Sequence, residues 1–332
     1  MFRYLIQRLL LMIPTLLLIS LVTFVIIQLP PGNYLETLIS ELRASGESAD
    51  LAKVEFLRKQ YGLDQPLWKQ YVTWLTGLVQ GDLGYSFEYD RPVSQIIGER
   101  IVLTMVVAFG AILFTWIVAF PIGVYSATHQ YSWADHGLTL LGFLGLATPN
   151  FLLALVLMFV SFAYFGVSVG GLFSPDMQAA PWSWAKVGDL LEHLWIPVLV
   201  IGASGTAGMI RRLRANLLDE LRKQYVVTAR AKGLRPGRAL VKYPLRIAVN
   251  PFISDIGSLL PQLISGAIIV SIVLSLPTTG PILLRALRAQ DMYLAGSFLM
   301  ILAVLTVIGV FLSDLALAAL DPRIRQGSGQ SR

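Results

Sequence analysis

Few residues in this chain have types and spacing suited to chemistry, and the first to weigh is a serine. Gly202-Ala203-Ser204-Gly205 is a G-x-S-G step. A serine hydroxyl becomes a nucleophile beside a base that takes its proton. The three histidines, His129, His136 and His193, all precede Ser204. Small residues at 202, 204, 205 and 208 instead suit two apolar helices that approach closely. His129 and His136 bracket a short turn like a metal pair, but the chain has no cysteine and no H-E-x-x-H step to complete a zinc site. It also has no G-x-x-x-x-G-K-[ST] loop to cradle ATP phosphates.

The remaining candidates are polar residues inside apolar runs. Asn150 follows Thr148-Pro149 in one run, and Asp255, Ser258, Gln262, Ser265 and Ser271 interrupt another. A polar group in hydrocarbon must find a partner or water. Pro149 also frees a backbone carbonyl, which predicts a kink. Ser258, Gln262 and Ser265 recur at steps of four and three, one stripe of a helix. Such a stripe faces either a neighbouring helix or a water-filled path. Asp255 falls near the inner end of its run, where Arg246 is in reach as an ion-pair partner.

These residues must be carried by membrane-spanning helices. The 332 residues are 55% hydrophobic and only 14% charged, far from a soluble domain. Runs at 9–29, 101–127, 137–165, 194–210, 252–276 and 293–313 predict six spans. The first run has no cleavage site after it and reads as an uncleaved helix. With six spans both ends lie on one side. That side holds 16 of the 26 Lys and Arg residues, which places both termini in the cytoplasm. The outer excess sits in the long segment 33–99, with ten acids and six basic residues, where basic residues count least. No internal repeat is evident, which argues against an inverted-repeat secondary transporter.

The densest charge is at 211–251, with eleven Lys and Arg residues and two acids. Basic loops stay cytoplasmic. Within it, 223–232 (KQYVVTARAK) predicts a short helix that packs through Ala229 and Ala231. Gly233 is its C-cap, Pro236-Gly237 a breaker, and 238–248 a second helix.

Tyr225-Val226-Val227-Thr228-Ala229-Arg230-Ala231-Lys232-Gly233-Leu234 resembles the cytoplasmic loop of permease subunits of binding-protein-dependent ABC importers, closest to the oligopeptide/dipeptide branch. The general motif has Glu-Ala where Val227-Thr228 stand, and Leu-Pro where Leu245-Arg246 stand. The peptide branch commonly carries Thr-Ala-Arg-Ala-Lys-Gly and Leu-Arg there. Ile13-Pro14-Thr15-Leu16, Tyr61 to Pro66, Gly81 to Phe87 and Leu320 to Arg325 also match that branch. One outer stretch departs: Leu276-Pro277-Thr278-Thr279-Gly280 replaces an aromatic-Pro-Gly-Leu-Gly pattern.

The resemblance implies an all-α polytopic protein with six transmembrane helices and the type I ABC importer permease fold. It implies a place in the bacterial inner membrane. It implies coupling to an ATPase through Tyr225, Thr228, Ala229, Arg230, Ala231, Lys232 and Gly233. Candidates for the translocation path are Asn150, Ser258, Gln262 and Ser265. It implies a second permease subunit of related sequence, two ATPase subunits that bind ATP and Mg, and a periplasmic or lipid-anchored solute-binding protein. No cofactor, metal, nucleic acid or catalytic residue is expected in this chain. The parts are an N-terminal helix at 1–30, a periplasmic docking region at 31–99 with helices at 51–61 and 66–78, a five-helix core at 100–325, and a disordered tail at 326–332. Trp182 and Trp184 are expected at the membrane–water boundary. The transported solute stays open: peptides, oligosaccharides, opines or another solute.

Overall fold

The first apolar run forms one helix, α1 (Phe2–Gln28), and its faces are inverted relative to a soluble helix. Ser20, Thr23, Phe24 and Ile27 are buried, while Leu10, Leu11, Ile13, Leu17, Leu18 and Ile26 are exposed. Lipid takes the apolar face, so the inward stripe can be polar and tightly packed. The computed structural model describes residues 2–29, 39, 44, 48–60, 62–166, 169–253 and 267–320. It divides into two compact units, Met1–Leu103 with Thr278–Phe311, and Thr104–Pro277 with Leu312–Arg332.

In the first unit α1 meets α3 (Leu67–Gln80). Ser20 Oγ and the Tyr71 hydroxyl are 2.8 Å apart, and the Phe24 and Tyr71 rings meet edge-on at 5.4 Å. Trp74, 2% exposed, fills the space over Gly296, where a Cβ would lie 3.0 Å from the indole. α2 (Ser48–Gln60) precedes α3, and both agree with the short helices expected at 51–61 and 66–78. Strands β1 (Tyr85–Ser86) and β2 (Arg91–Pro92) form a small antiparallel pair.

The second unit takes α4 (Val93–Thr128) from Thr104 on, α5 (Trp133–Ala147), α6 (Asn150–Phe165), the single turn α7 (Pro175–Gln178) and α8 (Trp184–Leu221). It continues through α9 (Gln224–Ala231), α10 (Pro236–Lys242), α11 (Pro244–Ala248) and α12 (Ile268–Val273). Helix α13 (Thr279–Arg288) and most of α14 (Met292–Leu320) belong to the first unit.

Several expectations are corrected. The helix at the fourth span extends well beyond 194–210: α8 runs 38 residues, about 57 Å at 1.5 Å per residue, against a hydrocarbon core of about 30 Å. Arg211 to Leu221 are thus helix rather than loop. The kink at Pro149 is a full break, with α5 and α6 bent by 100°. Thr148 is extended there, the conformation a residue before proline prefers. The turn after α4 is shorter than 129–136, because Ser132 caps α5 by accepting the Asp135 N–H. The outer loop at 277–291 contains α13, whose apolar positions are spaced for a helix.

Among the described residues four helices are long and apolar enough to cross a membrane, and five if the bent α5–α6 pair counts as one span. The remaining expected span, 252–276, includes residues 254–266, which lie outside the described residues. The Asp255–Arg246 pairing and the tail at 326–332 also lie outside them.

Candidate functional site

The basic segment is organised on the end of α8. Leu213 and Leu217, fully buried, pack with Ala119 and Ala127 of α4, Ala248 of α11 and Phe252. Leu240 of α10, Leu245 of α11 and Val249 close the cluster. The Arg212 guanidinium lies 5.3 Å from the centre of the Phe252 ring, a favourable cation–π distance. So the segment is seated by apolar packing, and Arg211 and Arg212 are left exposed.

Helix α9 follows α8 after two residues. Its N-cap position, Lys223, makes no side-chain cap. The joint is held instead by the Tyr225 hydroxyl, which hydrogen-bonds the Glu220 carboxylate near the end of α8. Burial and the neighbouring Glu220 push the Tyr225 hydroxyl well above the usual phenol range, so it stays a donor at any physiological pH. Val226 and Ala229 turn inward at a spacing of three. Val227, Thr228, Arg230, Ala231, Lys232 and Gly233 are exposed. Ala231 is therefore not a packing residue, contrary to the expectation: it shares the outer face with Val227, which is 54% exposed. The Thr228 hydroxyl bonds back to the Gln224 carbonyl at 2.9 Å.

Gly233 ends α9 at φ +82°, the left-handed conformation that glycine takes freely. The Leu234 N–H reaches the Ala229 carbonyl at 3.2 Å and so closes the end. The expected second helix is two helices. Pro236 starts α10 rather than breaking it, since its missing N–H costs nothing in the first turn. Pro244 divides α10 from α11 at Tyr243.

Of the path candidates, Asn150 lies at the start of α6, and its amide donates to the Ser204 hydroxyl at 3.3 Å. This gives Asn150 its partner in the apolar layer and gives Ser204 a packing role. Ser258, Gln262 and Ser265 lie outside the described residues. Of the small residues of α8, Gly202 and Gly205 pack, a Cβ lying 2.7 Å from Phe114 Cδ1 at the first and 3.5 Å from Thr115 Oγ1 at the second, while Gly208 has no atom within 4 Å and is not a packing position, contrary to the expectation. His129 stacks on Tyr125 at 4.5 Å, and His193 Nδ1 bonds the Asp189 carbonyl at 2.8 Å. No group of three or more His, Cys, Asp or Glu suited to a metal occurs among the described residues. Trp182 and Trp184 are 60% and 91% exposed.

Sequence reasoning passed over one contact. The buried carboxylate of Asp135 on α5 takes Arg214 of α8 in two bonds, Nε to Oδ1 at 2.9 Å and Nη2 to Oδ2 at 2.7 Å. The Ser132-x-x-Asp135 cap pattern marks the acid, but nothing in the basic run sets Arg214 apart from its neighbours.

Long apolar helices joined to a packed, helical basic segment define the class as a membrane protein. Residues 119–326 match the family described as binding-protein-dependent transport system inner membrane component, and residues 1–108 match its N-terminal counterpart. The chain belongs to this family, as a permease subunit of the ABC importers with the type I fold. It is 35% identical over 323 residues to the oligopeptide transport system permease protein AppB of Bacillus subtilis, covering 97% of this chain and 98% of that one. It is 33% identical over 326 residues to the glutathione transport system permease protein GsiC of Pectobacterium atrosepticum, covering 98% and 99%. It is 29% identical to the dipeptide transport system permease protein DppB of Alkalihalophilus pseudofirmus, covering 98% and 100%. The chain is thus a multi-pass inner-membrane protein that works with an ATPase and a solute-binding protein, and ATP hydrolysis resides in separate subunits.

Proposed function

We propose that this chain forms half of a translocation path for peptides or similar small solutes, and that α9 is its contact with the ATPase. The observation that carries the reading is the two-sidedness of α9. It buries Val226 and Ala229 against its own chain and presents Val227, Thr228 and Ala231 among basic residues, on a segment whose charge supports a cytoplasmic position. Apolar side chains in a charged, aqueous setting suit a protein partner. The joint to α8 makes the helix a lever rather than a loose loop. ATP-driven closure of two ATPase subunits would move α9, and with it the spans, between inward- and outward-open states.

The same reading has both termini in the cytoplasm, a second permease of related sequence, ATP and Mg held by the ATPase pair, and a periplasmic or lipid-anchored binding protein that docks on residues 31–99. The solute class is supported by the oligopeptide, dipeptide and glutathione names of its relatives. The test is uptake of isotope-labelled di- and tripeptides into vesicles holding the co-expressed importer. Uptake that needs both internal ATP and the binding protein is expected. Uptake driven by an ion gradient with this chain alone would establish a secondary transporter instead.

A further inference from the structure

Helix α5 lies antiparallel along α8, and three positions mark the register. Within α5, Asp135 meets Arg214 and Gly145 lies over Ala207, where a Cβ would be 3.6 Å from the alanine Cβ; just past the break, Asn150 of α6 meets Ser204. Between these ends the contact at Gly145 is between small groups, the Ala207 methyl and the Ala203 carbonyl, and carries no directional bond. The two ends carry directional bonds, but of different quality. Asn150 to Ser204 is a neutral bond at 3.3 Å. Asp135 to Arg214 is bidentate and charged, on a carboxylate that is 2% exposed and also accepts the Tyr131 N–H at 3.0 Å. Charge-assisted bonds are roughly twice as strong as neutral ones, and the paired fork fixes orientation as well as distance.

Arg214 sits six residues before Glu220, about 9 Å along the helix from the joint that holds α9. It adjoins Leu213, which anchors a neighbouring flank of α8, about 100° round the helix, in the apolar cluster. We propose that Asp135 and Arg214 are positioning residues for transport: they lock α5 to the lever end of α8. Displacement of α9 then carries α5 along and reaches the break at Thr148 to Asn150. This inference rests on the reading of α9 as the ATPase contact.

The chain has no cysteine, so a pair of introduced thiols can be addressed alone. The importer is reconstituted with its ATPase, partner permease and binding protein, and the readout is ATP hydrolysed per labelled di- or tripeptide delivered. A purely structural contact would change complex yield but not this ratio. Arg214→Lys keeps the charge and loses the fork; Asp135→Asn keeps the shape and loses the charge. Each is expected to raise the ratio about tenfold at unchanged yield, within the usual range for energetic coupling between two sites. In D135C/R214C, a short bis-methanethiosulfonate linker should restore the ratio, and reduction should raise it again. An unchanged ratio in R214K and D135N overturns the proposal. So does a linked pair that stops transport, because the contact would then have to open in each cycle. So does an R214K complex that fails to assemble, which would make the pair a folding contact. A wild-type importer without ATP-dependent peptide uptake fails the underlying reading instead.

Discussion

The Ser86 hydroxyl donates to the buried carboxylate of Asp291 across 2.6 Å, which ties β1 to the start of α14 over 205 residues of chain. The same oxygen takes the Glu88 N–H at 3.3 Å, and the other takes the Leu294 N–H at 3.1 Å. Asp291 thus caps α14 and closes the hairpin at once.

Burial pushes the Asp291 carboxyl above the ordinary carboxylate range, against the pull of these donors. A folded pKa above the unfolded one means that folding takes up protons. The stabilisation is full below the unfolded pKa and is lost as pH rises through the folded pKa. The wild-type thermal midpoint should therefore gain on acidification from neutral pH toward the ordinary carboxylate range. Asp291→Asn should lack that increment. Parallel midpoint profiles for the two proteins would refute it. Ser86→Ala removes a donor from a buried acceptor and should cost about 1–3 kcal/mol at neutral pH.

Gly84 has φ +84°, and a Cβ there would lie 2.0 Å from Tyr293 Cδ1. Gly84→Ala meets strain and collision together, about 1–3 kcal/mol for the backbone and as much again for overpacking. A marked fall in the thermal midpoint of the purified chain is expected. Tyr293 is buried, so Tyr293→Ala opens a cavity of its own; Gly84→Ala should cost less in the Tyr293→Ala background than in the wild type, because there only the backbone strain is left.

Two glycines of α8 separate packing from propensity. Gly202→Val should disrupt the seat of α8 on Phe114 and the Ala111 carbonyl. Gly208→Ala meets nothing within 4 Å and should stabilise the helix by about 0.5–1 kcal/mol. Detergent melting curves that move the same way for both variants would contradict this packing.

At Gly233 no atom lies within 4 Å of the missing Cβ, so only the backbone limits substitution. Gly233→Asn, which tolerates the left-handed region, should keep ATP-driven uptake. Gly233→Val should lose most of it at normal abundance, because a β-branched residue there is strained. Equal uptake by both would remove the need for this bend.

The legible part of the sequence is the part that lipid and charge write. Apolar runs and the basic segment reveal the long helices, because hydrocarbon demands length and excludes charge. Gly233 was legible as a C-cap because its position follows a helical run. The break of α10 at Pro244 was not foreseen, since alternating basic and apolar residues around it read as one helix. The length of α8 was hidden for a related reason: Arg211 to Leu221 is polar enough to look like loop, and only Leu213 and Leu217 betray its buried side. Asp291 and the Asp135–Arg214 pair were missed because pairing over 79 to 205 residues leaves no local pattern.

The most direct test of the account uses the outer face of α9. Ala231→Cys, in this cysteine-free chain, is labelled with a thiol-directed photo-crosslinker in the intact importer, with Trp184→Cys as the control. The account predicts an adduct with the ATPase subunit from position 231 and none from position 184. An assembled, ATP-driven importer with no ATPase adduct from position 231, or from Val227→Cys and Thr228→Cys on the same face, would contradict it.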